Sequence, residues 1–298
     1  MKIFAIVVTY NGMRWYDRCF GSLQNSDMPV ETIVIDNAST DETVSYIKEH
    51  FPEIYLIESK ENLGFAKANN IGIRKALDNE ADYVFLLNQD AWVEKDTLSK
   101  LVQTFDENEN VGIASPVHLN GEYTGLDWGF VWGLPQNAIS DAFLGKLKKY
   151  YISSAVSAAA WLVSADCVKK VGGFDTLLFK HYGEDNNYCQ RLIYHKYNLL
   201  INTTCSICHD RTHRQGKDEV EYRDKLLKKY DVYTKVKYAD VNNSFNFSHL
   251  RWCQIKFLIK SILKLSFKNI RVFRQNMKNL NLIEQSRTLN IKGGQIWL

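Results

Sequence analysis

Tyr83-Val84-Phe85-Leu86-Leu87-Asn88-Gln89-Asp90 is the stretch that decides the fold class. Its first five residues are apolar without alternation, as in a strand buried on both faces of a sheet. It then ends in three polar side chains. Towards the N-terminus the same design recurs. Ile3–Thr9 runs apolar into Thr9-Tyr10-Asn11, Thr32–Asp36 follows the breaker Pro29 and ends in Asp36-Asn37, and Glu53–Glu58 continues the series. Val111–Pro116 is the next strand on the C-terminal side. Helix-like segments near residues 14–25, 41–50, 65–78 and 95–106 separate these runs, with Thr40-Asp41-Glu42 and Lys95-Asp96-Thr97 as start signals for two of them. Alternating strands and helices predict an α/β, Rossmann-like architecture, a mostly parallel sheet flanked by helices. Ligands of such sheets bind at the carboxyl ends of the strands. The polar strand ends are therefore the first candidates for a site.

Composition bounds the rest. The 298 residues are 45% hydrophobic and 24% charged, an ordinary globular balance, and 16 Gly with 4 Pro exclude collagen-like and low-complexity chains. The net charge of +3 joins two unlike parts: residues 1–220 carry 21 Lys+Arg against 29 Asp+Glu, and residues 221–298 carry 16 against 5. Six scattered Cys fit reduced thiols in a cytosolic protein better than a disulfide scaffold. The apolar run Ile3–Val8 is too short for a signal peptide, and Tyr150–Ala165 is short for a membrane span and dotted with Ser. No transmembrane helix is expected.

Each candidate motif has a chemical and a plain structural reading. Asp90, with Asn88 before it, ends a buried strand, where a carboxylate holds a divalent cation that bridges a diphosphate; otherwise it caps the next helix. Asp36 and Asn37 suit a base or ribose hydroxyl, or a helix start. Asn62-Leu63-Gly64, with Asn69-Asn70 further on, opens a helix whose N-terminus suits an anion. Gly172-Gly173-Phe174-Asp175 reads as a turn. Glu184-Asp185 precedes a helical run from Asn187 to Tyr197 and offers a base with its orienter, or simply acidic residues in a first helical turn. Cys205-x-x-Cys208-His209 matches a haem-attachment spacing and, with His213, a zinc cluster. The better reading is a single His ligand with two small apolar Cys. Residues 118–152 break the pattern with Gly121, Gly125, Gly129, Gly133 and Gly145 among Trp128, Phe130, Trp132 and Phe143; they read as a flap, ordered by itself or by a ligand.

Taken together, in order and spacing, these pieces resemble the family 2 inverting glycosyltransferases of the GT-A fold, most closely the rhamnosyltransferase-like branch. The resemblance covers about residues 1–215. It implies that Thr9, Asn11, Asp36 and Asn37 hold the nucleotide, that Asn62, Gly64 and Asn70 line the nucleotide-sugar, and that Asn88 and Asp90 stand at the ends of the family's D-x-D metal motif. It further implies that Asp185 is the general base with Glu184 beside it, and that His209 joins Asp90 on Mn²⁺ or Mg²⁺. The implied activity is inverting transfer from a nucleotide-diphospho-sugar, dTDP-rhamnose or a UDP-hexose, to a glycan hydroxyl, lipid-linked, in cell-surface polysaccharide synthesis. A catalytically silent nucleotide-sugar-binding or membrane-scaffold protein is the alternative. The chain departs from the family at Asn88, which replaces an acid, at Ser157–Trp161, which lacks the usual Gly, and at Asn186-Asn187.

The expected division is a catalytic domain over residues 1–235, its nucleotide-sugar part about 1–117 and its acceptor part about 118–235, followed by a basic amphipathic tail over 236–298. From Val241 to Ile283 there is no acidic residue. Lys256, Lys260, Lys264 and Lys268 form one helical stripe, with Ile255, Ile259, Leu263 and Phe267 beside it. That pattern suits an anionic membrane surface, and hence a cytoplasmic protein peripheral on the inner face of the cell membrane. A helix packed on the catalytic domain is the plainer reading. No nucleic-acid-reading motif accompanies the charge.

Overall fold

A computed structural model describes residues 1–211 and 231–298; His213 lies outside them. The apolar runs become strands β1 (Ile3–Thr9), β2 (Glu31–Asp36), β3 (Tyr55–Glu58) and β4 (Tyr83–Asn88), paired in parallel in the order β3-β2-β1-β4. Helices α1 (Tyr16–Gln24), α2 (Thr43–His50) and α3 (Gly64–Asp78) make the crossovers. The absence of alternation in β1 has a direct cause. Phe4 and Ile6 pack with Ile33, Ile73 and Trp161 on one face, while Ile3, Ala5 and Val7 pack with Phe20 and Leu98 on the other. Both faces are core, so neither tolerates a polar side chain.

Beyond β4 the chain forms β5 (Ala91–Val93), α4 (Thr97–Glu107), β6 (Val111–Asn120), α5 (Trp128–Val131), α6 (Gln136–Phe143), β7 (Tyr150–Ser153), β8 (Ala160–Ser164), α7 (Ala165–Val171), α8 (Glu184–Tyr194) and β9 (Asn198–His209). β8 inserts antiparallel between β4 and β6, β6 and β9 run parallel, and β5 and β7 lie antiparallel on the two halves of β9. Among the described residues six of the nine strands thus run one way and three the other, so the sheet is mostly parallel in direction but mixed in pairing. β6 continues past Pro116 through a register shift, and this carries His118 into the interior. The 118–152 segment holds α5, α6 and β7, and is anchored by the fully buried Phe130. α8 begins at Glu184 itself, three residues before the expected start.

The last two helices, Phe247–Leu263 and Phe267–Lys292, fold into an antiparallel hairpin. Arg251 pairs with Glu284 across it, and Asn276 Nδ2 donates to Gln254 Oε1 at 3.0 Å. The helix break at Lys264–Ser266 divides the expected lysine stripe, leaving Lys268 on the second helix. The far end of that second helix packs on the body. Asp175 Oδ2 accepts Ser286 Oγ at 2.5 Å, His195 Nε2 lies 2.9 Å from the Asn290 carbonyl oxygen, and Ile283 is buried. Asp175 in the Gly172–Asp175 turn is therefore a docking residue for the hairpin.

Candidate active site

The carboxyl ends of β1, β2 and β4 open into a cleft of about 780 Å³, mouth included, lined by Tyr10, Asn37, Asn62, Asn88, Asp90 and His181 among others. Of Thr9, Asn11, Asp36 and Asn37 only Asn37 lines it; the four form a cross-braced loop pair beside it. Thr9 Oγ1 donates to Asp36 Oδ1 at 3.1 Å, the Ser39 amide donates to Asp36 Oδ2 at 3.0 Å, and the Thr40 amide donates to Asn11 Oδ1 at 2.8 Å. Asn37 Oδ1 accepts the Leu63 amide at 2.7 Å, tying this loop to the start of α3. Asn11 and Ala38 both have positive φ, at 47° and 63°, strain that this bracing sustains.

Asn62 lines the cleft and caps the amide of Gly64 at 3.0 Å. Gly64 has φ +78°, and a Cβ there would meet the Lys180 carbonyl oxygen at 2.5 Å, so only glycine lets α3 approach the wall that carries His181. Asn70 does not reach the cleft. Its side chain is buried in a clamp, accepting the Phe174 amide at 2.7 Å and donating to the Phe174 and Trp297 carbonyls at 2.8 and 2.9 Å. One residue further along α3, about 100° round the helix, it turns away from the cleft, which Asn69 lines instead.

Asp90 and His209 stand together, the juxtaposition that the family resemblance implies. His209 Nε2 is 3.2 Å from Asp90 Oδ1 and 3.3 Å from Asn88 Nδ2, and all three sit where β4 gives way to β5, which pairs with β9. The other ring nitrogen, Nδ1, lies 2.9 Å from Asp127 Oδ2. Burial works against a charged imidazole, but the bonds to Asp127 and Asp90 outweigh it and raise the His209 pKa above the ordinary histidine value. Burial pushes His118 down to about 3, with His209 adding to the effect, so that ring is neutral.

A divalent cation fits one side of this cluster better than the other. His118, Asp127 and His209 offer ligand atoms within 4.8 Å of one another. The Arg211 guanidinium, however, puts Nε 3.1 Å from Asp127 Oδ2 and 3.3 Å from His209 Nδ1, so a positive charge already fills that side. The Nε2 side opens to the cleft through Asp90 and Asn88, with a hard carboxylate oxygen beside an imidazole nitrogen. That donor pair suits Mn²⁺ or Mg²⁺ completed by water and phosphate oxygens. No cysteine belongs to a metal-holding group among the described residues. Cys205 and Cys208 are buried, and Cys208 Sγ lies 3.0 Å from the Asn120 carbonyl oxygen, while His213, on which the zinc reading also calls, lies outside the described residues.

Glu184 and Asp185 open α8 behind Gly183, whose φ of +90° makes the turn. Glu184 is buried, its Oε2 has no hydrogen-bond partner, and burial together with Asp185 pushes its pKa up to about 8. Burial also raises Asp185, against hydrogen bonds from the Asn186, Asp185 and Ala158 backbones. Neither carboxylate lines the cleft itself; Asp185 lies behind Ala158, which does and whose backbone bonds to it. Both shifts run the same way, towards holding a proton, so Asp185 is a stronger base than a solvated aspartate.

Sequence reasoning missed Asp127 and Arg211. The glycines and aromatics around Asp127 marked a flap, but no spacing tied it to His209; β6 and α5 bring it there through tertiary packing. Arg211 also reaches Ser157 Oγ at 3.4 Å and stacks on Trp128 at 5.3 Å, linking the flap to the site.

A model of the family described as Glycosyl transferase family 2 matches residues 4–172. dTDP-rhamnosyl transferase RfbF of Shigella flexneri is 27% identical over 202 residues, which cover 67% of this chain and 65% of that protein. Low-salt glycan biosynthesis hexosyltransferase Agl10 of Haloferax volcanii is 25% identical over 217 residues, covering 68% and 64%. The chain spans just under two thirds of the length of these two curated relatives. Among solved structures, S. aureus TarS 1–349 in complex with UDP superposes with a TM-score of 0.58 at 16% identity, covering 98% of this chain and 89% of that one. GalNAc-T7 with UDP, GalNAc and Mn²⁺ gives 0.56 at 17% identity, covering 70% and 44%. The fold is that of these proteins, GT-A with a C-terminal helical extension.

Proposed function

Because the chain belongs to glycosyl transferase family 2, we propose that it transfers a sugar, with inversion, from a nucleotide-diphospho-sugar to a hydroxyl of a glycan acceptor. The observation that carries the reading is the Asp90–His209 pair at 3.2 Å, with Asp90 lining the cleft at the carboxyl ends of the parallel strands. The loop pair of Thr9, Asn11, Asp36 and Asn37 receives the nucleotide, with Asn62 and Asn69 beside the sugar. Asp90 and His209 hold the cation, which when bound neutralises the diphosphate leaving group. Asp185 accepts the proton of the acceptor hydroxyl as that oxygen attacks the anomeric carbon, through an oxocarbenium-like transition state. Glu184, its pKa pushed up to about 8, holds a proton at neutral pH and adds little charge beside Asp185.

dTDP-rhamnose is the first donor to test, since RfbF bears that name, and UDP-hexoses are next, since TarS is solved with UDP and with UDP-GlcNAc. Calorimetry with dTDP-, UDP- and GDP-sugars, with and without Mn²⁺, on wild type and Asp90→Ala is the test. Cation-dependent binding of one donor, weakened in the variant, supports the reading. Binding to none turns it towards a silent protein on the same fold.

The tail belongs to the same proposal. The hairpin turn exposes Leu263, Leu265 and Phe267 (79, 80 and 82%) beside Lys260, Lys264, Lys268 and Arg271. No helix among the described residues is long and apolar enough to cross a membrane. An apolar tip ringed by cations suits the interface of an anionic leaflet, where lipid-linked acceptors lie. The body over 1–235 then does the chemistry, and the extension over 236–298 docks it on the membrane's inner, cytoplasmic face.

A further inference from the structure

We infer that Asp127 is the positioning residue that sets the tautomer of His209, holding the proton on Nδ1 so that the Nε2 lone pair faces Asp90 and a shared divalent cation. This rests on the reading of Asp90 and His209 as the cation pair. Four observations carry it. Asp127 is buried and its Oδ2 lies 2.9 Å from Nδ1, so an Nδ1–H donates to a carboxylate that has no proton of its own to give. Against its burial, His209 itself and Arg211 Nε, 3.1 Å from the same oxygen, hold that carboxylate below the ordinary aspartate range. Asn88 Nδ2, on the opposite side of the ring, is 3.3 Å from Nε2, within reach to donate to it when Nε2 is bare. Finally, Asp127 Oδ1 accepts the Gly129 amide at 3.1 Å as the cap of α5, and the next residue, Phe130, is buried and stacked 4.7 Å from His118. The carboxylate cannot turn away from the ring without undocking α5.

A ligating imidazole whose second nitrogen is fixed by a carboxylate is a better metal ligand than a free one, and losing that partner typically costs about 10–100-fold in metal affinity. Asp127 thus ties His209 to the 118–143 segment, and the cation pair is complete only with that segment docked.

Two measurements on the full chain test this. Mn²⁺ alone is titrated into wild type and Asp127→Asn, following the free-ion signal by electron paramagnetic resonance, with thermal unfolding of both recorded alongside. The amide can turn its NH₂ to Nδ1 and favour the other tautomer, so the expected result is affinity weakened about 10–100-fold in a variant that still unfolds cooperatively. Equal affinity overturns the proposal. Separately, ¹⁵N-histidine spectra of wild type with Mg²⁺ read which nitrogen of His209 bears the proton. A proton on Nδ1 and a bare Nε2 are expected, and a proton on Nε2 overturns the proposal whether or not the variant folds. Loss of Mn²⁺ binding in wild type itself would strike the cation-pair reading instead.

Discussion

Replacing Leu263, Leu265 and Phe267 together by Glu removes the apolar tip of the hairpin while leaving the buried contacts at Ile283, Ser286 and Asn290 untouched. The three side chains are about four-fifths exposed, so nearly all of their apolar surface is available to a bilayer. Full burial of such a side chain is worth about 1.5–3 kcal/mol. At four-fifths exposure and with half of that surface inserted, three of them give about 2–4 kcal/mol. The neighbouring Lys260, Lys264, Lys268 and Arg271 each add about 1 kcal/mol near an anionic leaflet. The three added carboxylates also offset most of that attraction. Binding to vesicles containing phosphatidylglycerol should therefore weaken at least about 30-fold, and up to about 900-fold from the apolar part alone, at about 1.4 kcal/mol per decade. Vesicle co-sedimentation measures it, with phosphatidylcholine vesicles and added salt separating the apolar from the charged contribution. Wild-type and substituted proteins binding anionic vesicles equally would refute the reasoning and leave the exposed tip without a membrane role.

Three further outcomes follow from the body of the protein. Asp185→Asn keeps the size of the side chain but cannot accept a proton, so turnover should fall about 10²–10⁴-fold with donor affinity retained; turnover within a few-fold of wild type would remove Asp185 as base. Glu184 has its pKa raised to about 8, so the folded chain keeps a proton that the unfolded chain gives up at ordinary acidity. Its contribution is fully present below the unfolded value and is lost as pH rises towards 8, a slope approaching about 1.4 kcal/mol per pH unit. Glu184→Gln should flatten that slope in urea unfolding at a series of pH values, and a wild-type-minus-variant difference that stays constant from mild acid to pH about 8 would contradict the assignment. Gly64→Ala forces a Cβ to 2.5 Å from the Lys180 carbonyl at φ +78°. It should cost about 1–3 kcal/mol in thermal or urea unfolding and loosen the His181 wall; an unchanged stability would show that the wall shifts freely.

The sequence by itself determined the parts whose cause is local. Continuous apolar runs at Ile3–Thr9 and Tyr83–Asn88 could only be strands with core on both faces, and their polar ends fell where a parallel sheet gathers its ligands, so Asn37, Asn88 and Asp90 were legible as neighbours. Asn70 was misread because its helical phase, one residue from Asn69, decides between cleft and clamp, and residue type alone does not report phase. The lysine stripe was read as continuous because nothing in its spacing marks the turn at Lys264–Ser266; the packing of Arg251 on Glu284 favours a hairpin over one long helix. Asp127 depended on tertiary structure altogether. It lies 82 residues from His209 along the chain, and only the extension of β6 and the burial of Phe130 bring its carboxylate to the ring. Periodicity and strand ends are written residue by residue, whereas the partner of a buried histidine is chosen by whichever distant segment the packed core delivers to it.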